Sequence, residues 1–320
     1  MELSTRIYLA GHSGLAGSAL RRQFEKSGYK NLLMRTHDEL DLTDQSATLR
    51  FFQDEKPEIV VLAAGKVGGI IANNSLPAEF LYTNLAIQNN VIRAAVRSSV
   101  SDLLFLGSSC IYPRDCRQPI KEEYLLSGPL ESTNRPYALA KIAGVEHCWA
   151  CNRQYGVRYF AVMPTNLYGL GDNYDAANSH VLPALIRRTH EAKVLDASEV
   201  FIWGSGTPRR EFLFSEDLAE ACVFLLENNY LVDEMVFAAD KPPIVNIGVG
   251  EDIPISKLAE IICEIIGFKG KLTFDVTKPD GTPQKLLDNT KITKAGWRPT
   301  TTLEEGIRIV YDDYLRMCNA

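Results

Sequence analysis

Short apolar segments alternate with amphipathic ones through the first half of the chain. Five of the apolar segments have the length of buried strands: Ile7–Ala10, Asn31–Arg35, Ile59–Ala64, Leu103–Gly107 and Tyr159–Pro164. The third of these contains no polar residue, which is typical of a parallel strand covered on both faces. Segments with helical spacing lie between them, over residues 18–26, 84–97 and 136–155. This alternation predicts an α/β fold with a doubly wound parallel sheet, the Rossmann fold.

After residue 168 the alternation becomes less regular. We expect a cofactor domain over residues 1–168 and a smaller α/β lobe over 169–320 that binds substrate. Helical patterns cover residues 181–190, 218–227 and 256–266. Ser215 and Ser256 are the predicted N-caps of the last two helices. Phe201–Trp203 predicts a short strand, and Val245–Gly248 predicts a strand that returns to the main sheet near residues 244–249.

Three glycines follow the first predicted strand and precede the first predicted helix. The segment reads Gly11-His12-Ser13-Gly14-Leu15-Ala16-Gly17. Glycine lets backbone N–H groups approach a pyrophosphate, and the N-terminus of the following helix attracts the negative charge. The segment therefore predicts a dinucleotide-binding loop whose contacts come from Gly11, Ser13, Gly14, Leu15, Ala16 and Gly17.

The end of the second predicted strand bears on the choice between NAD and NADP. NAD sites usually place Asp or Glu there, on the ribose 2′-hydroxyl, whereas a cation suits the 2′-phosphate of NADP. This chain has Arg35 at that point. We therefore expect NADP (NADPH), with Asp41 and Leu42 beside the adenine. The alternative is that Arg35 is merely an exposed side chain.

Tyr137 and Lys141 lie at the start of the Ala-rich helix that follows Pro136. Residues four apart share one face of a helix. An ammonium group near a phenol favours the phenolate, so we expect Lys141 to lower the pKa of Tyr137 and make it an acid–base group. A turn containing Ser108 and Cys110 leaves the end of the fourth predicted strand, where ligands bind in open α/β sheets.

Composition narrows the classes of function. The 320 residues carry a net charge of −6, which argues against a general affinity for nucleic acid. No apolar run approaches the ~18–20 residues that cross a membrane, and residues 1–6 do not have the pattern of a targeting segment. The seven cysteines do not have the spacing of a disulfide framework, which suggests reduced thiols in the cytoplasm. We expect no metal site.

The glycine loop, the serine turn and Tyr-x-x-x-Lys, in this order, resemble the extended short-chain dehydrogenase/reductase family, which acts largely on nucleotide sugars. Longer segments are similar to those of the family members that make GDP-L-fucose, and the resemblance covers essentially the whole chain. These segments are GSSCIYP (107–113), PTNLYG (164–169), NSHVLP (178–183), WGSGTPRREF (203–212) and KPDGTP (278–283). Cys110 and His180 distinguish these members from related dehydratases and 4-epimerases.

The resemblance implies an NADPH-dependent enzyme that inverts C3″ and C5″ of GDP-4-keto-6-deoxy-D-mannose and then reduces C4″. Both inverted carbons flank a ketone, so each inversion needs one group to take a proton and another to return it. Thiol and imidazole have suitable pKa values, and the resemblance gives Cys110 as the base and His180 as the acid. Ser108 and Tyr137 would hydrogen-bond the ketone oxygen, Tyr137 would donate the final proton, and Lys141 would bind the nicotinamide ribose.

The resemblance also implies binding residues further from the reacting carbons. Those for the cofactor are Leu106, Gly107, Lys141, Pro164, Asn166, Leu167 and His180. Arg188 and Arg210 would face the GDP phosphates, and Trp203 and Asp280 would contact the nucleotide or the sugar. The family is typically a homodimer, paired here through the helices that begin near Asn84 and Tyr137.

Two positions depart from the family's pattern, and two alternative functions stay open. Ser13 stands where some members carry an Arg for the 2′-phosphate, and Gln284 replaces a basic residue. One alternative is another nucleotide-sugar 4-epimerase or 4-reductase of the family. The other is a non-catalytic regulator that binds a dinucleotide on the same fold.

Overall fold

The computed structural model describes residues 1–175, 179–237, 240–278 and 280–319. Asn178 and Pro279, which belong to two of the segments quoted above, lie outside the described residues. The strands are β1 (Ile7–Ala10), β2 (Leu32–Leu33), β3 (Ile59–Leu62), β4 (Asp102–Leu106), β5 (Arg158–Pro164), β6 (Asn166–Tyr168), β7 (Glu199–Trp203), β8 (Arg209–Arg210), β9 (Phe212–Phe214), β10 (Ile244–Ile247), β11 (Ile253–Pro254), β12 (Lys271–Asp275) and β13 (Gln284–Lys285).

The α-helices alternate with these strands. They are α1 (Leu15–Lys26), α2 (Gln45–Glu55), α3 (Ile70–Ser75), α4 (Pro77–Arg97), α5 (Arg135–Tyr155), α6 (Val181–Val194), α7 (Ser215–Glu227), α8 (Asn229–Val236), α9 (Ile255–Ile266), α10 (Thr290–Lys294) and α11 (Leu303–Cys318). Short 3₁₀ turns cover Ser109–Ile111, Glu122–Tyr124 and Ser132–Asn134. None of the helices in the described ranges is long and apolar enough to cross a bilayer.

Six parallel strands form the central sheet, in the order β10-β5-β4-β3-β1-β2. Side chains of a strand alternate between its two faces, and β1 shows the result. Ile7 and Leu9 belong to the core on one face, and Tyr8 and Ala10 to the core on the other. Because both faces are buried, the residues of these strands are mostly apolar; Asp102, Arg158 and the buried Asn246 are polar.

Helices cover the two faces of this sheet. On one face α1 and α7 contribute Leu20, Phe24 and Leu218 to the core. On the other face α2, α4 and α5 contribute residues such as Phe52 and Val145. The predicted doubly wound parallel sheet is therefore confirmed.

The rest of the chain after residue 168 forms a lobe with its own core. Leu185, Leu258 and Val310, from α6, α9 and α11, pack together there with residues of β7 and β9. Three small sheets lie in this part of the molecule, in the orders β11-β8-β13, β12-β7 and β6-β9. The strand β10 and the helix α7 also come from this part of the sequence, yet they pair with or cover the central sheet.

Some local predictions are wrong. β2 ends at Leu33, before Arg35, because only two of its residues pair with β1. Neither Ser215 nor Ser256 is an N-cap: α7 begins at Ser215 and α9 at Ile255, directly after strand residues that leave no room for a capping turn. In contrast, Thr302 forms a full capping box with α11.

Candidate active site

The carboxyl ends of β1, β3, β4 and β5 lie at one edge of the central sheet because the strands are parallel. The loop from Gly11 leaves β1 at this edge, Ser108 follows β4, and Asn166 follows β5. Ligands bind at such an edge in open α/β sheets. The topology therefore brings together the three segments that the sequence singles out.

The glycine loop is shaped by a close approach of its backbone to itself. A Cβ at Gly17 would lie 1.9 Å from the carbonyl oxygen of Gly11, and Gly11 has a φ of 87°, which favours glycine. Gly14 is the N-cap of α1 and offers no side-chain cap, and the first turn of α1 carries no acidic residue. N–H groups of this turn, which includes Leu15 and Ala16, are thus available to an anion such as a pyrophosphate.

The residues expected near the adenosine have varied surroundings. Arg35 is not simply exposed: its guanidinium forms an ion pair with Glu55, and both side chains are about one-third exposed. Asp41 is exposed, and hydrogen bonds from the hydroxyl and backbone N–H of Thr43 lower the pKa of its carboxyl. Leu42 is buried. Ser13, in the glycine loop, is exposed.

The residues expected along the strand ends are mostly buried. Leu106 and Pro164 end β4 and β5. Gly107 has no room for a side chain, because a Cβ there would lie 2.2 Å from Cε of Met163. Asn166 donates a hydrogen bond of 2.8 Å to the carbonyl oxygen of Glu211, and Leu167, beside it, is half-buried.

Ser108, Cys110 and Tyr137 form one cluster. The hydroxyl of Ser108 accepts a hydrogen bond from the backbone N–H of Cys110, at 3.2 Å, and also bonds to Tyr137. Cys110 lies close enough to Tyr137 that a negative charge on its sulfur would raise the pKa of the phenol. The structure thus brings together three of the five predicted catalytic side chains.

Lys141 does not lower the pKa of Tyr137, contrary to the expectation. Burial raises the pKa of Tyr137, the charge of Cys110 adds to this shift, and the hydrogen bond from Ser108 opposes it. The Lys141 ammonium lies 5.8 Å from the centre of the Tyr137 ring and donates to the carbonyl oxygen of Leu106 at 2.8 Å. Burial lowers the pKa of Lys141 to about 8.

His180 is the N-cap residue of α6, and its side chain makes no capping bond. The contacts that join Cys110 to Ser108 and Tyr137 do not include it. The residue is exposed, yet the protein around the ring removes enough water to lower the pKa of the imidazole. A juxtaposition of Cys110 and His180 across a sugar thus stays a prediction.

The residues expected to bind GDP fall into two groups. Arg188 lies over the ring of Trp203, at 5.7 Å from its centre, and Trp203 is 51% exposed. Asp280 is bonded to the neighbouring Ser205 through its N–H, at 2.9 Å, and its hydroxyl, at 2.7 Å. Arg210 lies closer to Cys110: burial lowers the pKa of its guanidinium, and negative charge at Cys110 opposes that shift.

Two side chains that contact Cys110 were not predicted from the sequence. Asn134 Nδ2 lies 3.2 Å from Cys110 Sγ, and Lys285 Nζ lies 3.5 Å from it. Gln284, which departs from the family's pattern, turns to Asp252 instead, with 2.6 Å between Nε2 and Oδ2. A basic residue is therefore present, one position beyond Gln284.

Glu211 is a further residue whose importance only the structure reveals. Its side chain is fully buried, and its two carboxylate oxygens accept hydrogen bonds from the backbone N–H groups of Val249 (2.6 Å), Gly250 (2.7 Å) and Leu287 (3.0 Å). It joins the segment after β8 to the loop after β10 and to the segment after β13. In the sequence, its position within the segment WGSGTPRREF (203–212) was the only indication that Glu211 matters.

Comparisons with known proteins identify the family of this chain. A model of the NAD dependent epimerase/dehydratase family matches residues 7–248. The chain is 52% identical to the putative GDP-L-fucose synthase 2 of Arabidopsis thaliana, over 98% of this chain and 93% of that protein. It is 50% identical to the GDP-L-fucose synthase of Escherichia coli K12, over 97% of this chain and 96% of that protein.

A solved structure agrees as well. It is a GDP-mannoheptose C4 reductase of Campylobacter jejuni with NADP bound, which is 38% identical. It superposes with a TM-score of 0.89 over 98% of this chain and 99% of the other. With its glycine loop, Ser108 turn and Tyr137–Lys141 helix on one sheet edge, the chain belongs to the NAD dependent epimerase/dehydratase family, within the extended short-chain dehydrogenases/reductases.

Proposed function

We propose that this protein converts GDP-4-keto-6-deoxy-D-mannose to GDP-L-fucose, by inverting C3″ and C5″ and reducing C4″ with NADPH. The observation that carries the proposal is the cluster of Cys110 with Ser108 and Tyr137. In this cluster, Cys110 is an acid–base group that can act on the carbons beside the ketone. Ser108 and Tyr137 supply two hydroxyl groups that can hydrogen-bond the ketone oxygen. The two curated relatives, with about half of their residues identical to those of this chain, carry the name GDP-L-fucose synthase.

The cofactor is NADP. The backbone of Gly11–Gly17, with the N-terminus of α1, fits a pyrophosphate. Close packing leaves no room for a side chain at Gly11 or Gly17, so the backbone N–H groups stay accessible. Lys141, buried beside the carbonyl of Leu106, would hold the nicotinamide ribose. Arg35 would turn its guanidinium toward the 2′-phosphate, next to its partner Glu55. When bound, reduced NADP supplies the hydride for C4″.

Inversion needs the ketone to act as an electron sink. Cys110 takes the proton from C3″ or C5″, and the electron pair moves onto the ketone oxygen, where Ser108 and Tyr137 stabilise the enolate by hydrogen bonds. His180 returns a proton from the opposite face of the ring. Burial lowers the pKa of His180, so its imidazolium is a strong proton donor but a minor form near neutral pH, and the ring must take up a proton before it returns one to the sugar.

Reduction needs a neutral phenol. Burial raises the pKa of Tyr137, so the side chain keeps its proton at neutral pH. Tyr137 can therefore donate to the ketone oxygen as C4″ is reduced. Arg188 and Arg210 would bind the diphosphate, with Trp203 and Asp280 at the nucleotide or the sugar.

The division at residue 168, the cytoplasmic location and the homodimer belong to the same proposal. Seven cysteines without a disulfide suit a reducing compartment. Tyr82 on α4 and Leu139 on α5 are large side chains left exposed, at 70% and 41%. They support pairing of two copies through these helices.

The two steps can be tested separately. With the 4-keto sugar in deuterium oxide and no NADPH, the protein should introduce deuterium at C3″ and C5″. Cys110→Ser should stop this exchange and let the unepimerised ketone be reduced directly. Tyr137→Phe should slow reduction by roughly 10²-fold or more, whereas Tyr155→Phe, at the other end of α5, should not.

The outcomes separate the alternatives. Exchange at neither carbon, with NADPH still oxidised, would leave a C4 reductase like the Campylobacter relative. Neither exchange nor oxidation would favour the non-catalytic regulator. A normal yield of GDP-L-fucose from Cys110→Ser would remove Cys110 from the reaction.

A further inference from the structure

Two nitrogen donors lie beside the sulfur of Cys110. The carboxamide of Asn134 is at 3.2 Å and the ammonium of Lys285 at 3.5 Å. A neutral thiol is a weak acceptor and carries a hydrogen of its own, whereas a thiolate accepts only. A sulfur that faces two donors, one of them a cation, is in the surroundings that a thiolate needs.

The position of Lys285 follows from the small sheet of β8 and β13. These two strands are parallel, with Lys285 opposite Arg210 and Gln284 opposite Arg209. Partners in register point to the same face of a sheet, and the next pair points to the other face. Lys285 and Arg210 therefore lie side by side on the face toward Cys110.

The opposite face of this small sheet is held by one carboxylate. Asp252 accepts from Arg209 Nε at 2.7 Å and from Gln284 Nε2 at 2.6 Å, and its side chain is 6% exposed. Because the carboxylate of Asp252 is almost inaccessible to solvent, its bonds to Arg209 and Gln284 hold β8 and β13 in place. Lys285 is thus placed by the fold and not by a flexible loop.

Two cations opposite each other repel, so an anion is expected between them. Among the acidic groups close by, Glu131 lines the same cavity as Cys110 and is paired with Arg114 at 3.3 Å. Asp280 is engaged by Ser205. Cys110 Sγ is the group in direct contact with Lys285.

We propose that Lys285, assisted by Asn134, holds Cys110 as a thiolate that is ready to take the proton from the sugar. This inference rests on the proposed function and assigns the group that activates its base. In the step, the C–H bond breaks, an S–H bond forms on Cys110, and the electron pair moves to the ketone oxygen as an enolate. Lys285 is a positioning residue that acts through Cys110.

Alkylation of the thiol tests this inference without any sugar. The rate of iodoacetamide labelling is followed from pH 5 to pH 10, and mass spectrometry reports each cysteine separately. In Lys285→Met the pH profile of Cys110 labelling should move upward, so that the rate near neutral pH falls by about tenfold. Lys285→Arg should retain most of the rate, and Asn134→Ala should lower it by only about threefold.

Two controls guard against a general structural effect. The exposed Cys318 should be labelled at the same rate in every variant, because it is the last residue of α11 and its neighbour is Tyr314 of the same helix. Lys294→Met removes an exposed lysine of α10 and should leave the Cys110 profile unchanged. An unchanged Cys110 profile in Lys285→Met, with Cys318 also unchanged, would overturn the inference.

A second measurement links the thiolate to the reaction. Lys285→Met should slow deuterium exchange at C3″ and C5″ near neutral pH and recover part of the rate at higher pH, where the thiolate forms without help. A loss that is equal at all pH values would contradict activation of Cys110. If the wild-type protein turned over no sugar, the proposed function would fail, while the labelling profile would still decide whether Lys285 activates the thiol.

Discussion

The glycine loop and the segments around Glu211 and Asp252 are held in shape by different kinds of contact. Around the glycine loop, the geometry comes from close packing of backbone and apolar side chains, as at Gly11 and Gly17. Around Glu211 and Asp252, it comes from buried carboxylates that accept hydrogen bonds from backbone N–H groups and a guanidinium. Substitutions that add volume should disturb the first kind of contact. Substitutions or pH changes that alter the charge of a side chain should disturb the second.

The largest effect is expected where the volume is most restricted. In Gly17→Ala the new Cβ would lie 1.9 Å from the Gly11 carbonyl oxygen, so the backbone of the loop must move. We expect a loss of about 3 kcal/mol in the free energy of unfolding, and NADPH binding should weaken as well. Urea unfolding without cofactor and a fluorescence titration with NADPH measure the two effects.

A neighbouring glycine provides the matched control. In Gly14→Ala the Cβ would lie 3.6 Å from the same oxygen, an ordinary contact, and the φ of −77° suits alanine. Its stability should change by less than about 1 kcal/mol. Equal losses in the two variants would mean that volume is not what fixes the loop.

The sequence predicts the region controlled by packing well. Ends of β1, β3, β4 and β5 are predicted to within two residues, because unbroken apolar runs between turns mark strands buried on both faces. The ends of β2 fall within the same margin, but this strand is shorter than predicted because it lies at the edge of the sheet and pairs over only two residues. The order of the chemical motifs was also enough to predict the family.

The part that the sequence could not predict depends on contacts between distant residues. Lys285 and Cys110 are 175 positions apart, and no local pattern joins them. The raised pKa of Tyr137 depends on burial by the folded chain, which outweighs the local i,i+4 neighbour Lys141. Serine is a common helix cap, but β9 continues directly into α7. Ser215 is therefore the first residue of the helix, and its hydroxyl is buried.

A smaller effect is expected for the buried carboxylate of the lobe. Glu211→Gln replaces one accepting oxygen with an NH₂ group, which would face a backbone N–H, and the other oxygen can satisfy fewer donors. We expect a loss of about 2 kcal/mol in the free energy of unfolding, measured in urea. The exposed Glu260, paired with Lys257 at 3.1 Å, gives the control: Glu260→Gln should cost under about 0.5 kcal/mol. Equal effects would show that burial of Glu211 does not matter.

The smallest effect concerns Asp172, whose carboxyl is buried and has no ion pair with a cation in the part of the chain that the structure describes. Burial raises its pKa from 3.8 to about 6. Between about pH 4 and pH 6 the folded state holds a proton that the unfolded state has lost. The contribution of Asp172 to stability is therefore full below pH 4, falls as the pH rises to 6, and stays low above it.

Asp172→Asn removes this dependence, because the amide does not ionise. The variant should be more stable than the wild type by about 1–2 kcal/mol at pH 7.5 and equal to it at pH 4, as measured by urea unfolding at both values. Asp312→Asn, on the exposed surface of α11, makes the same change in charge and should show no such difference. A gain for Asp172→Asn that is the same at both pH values would mean that ionisation of this buried carboxyl does not control the effect.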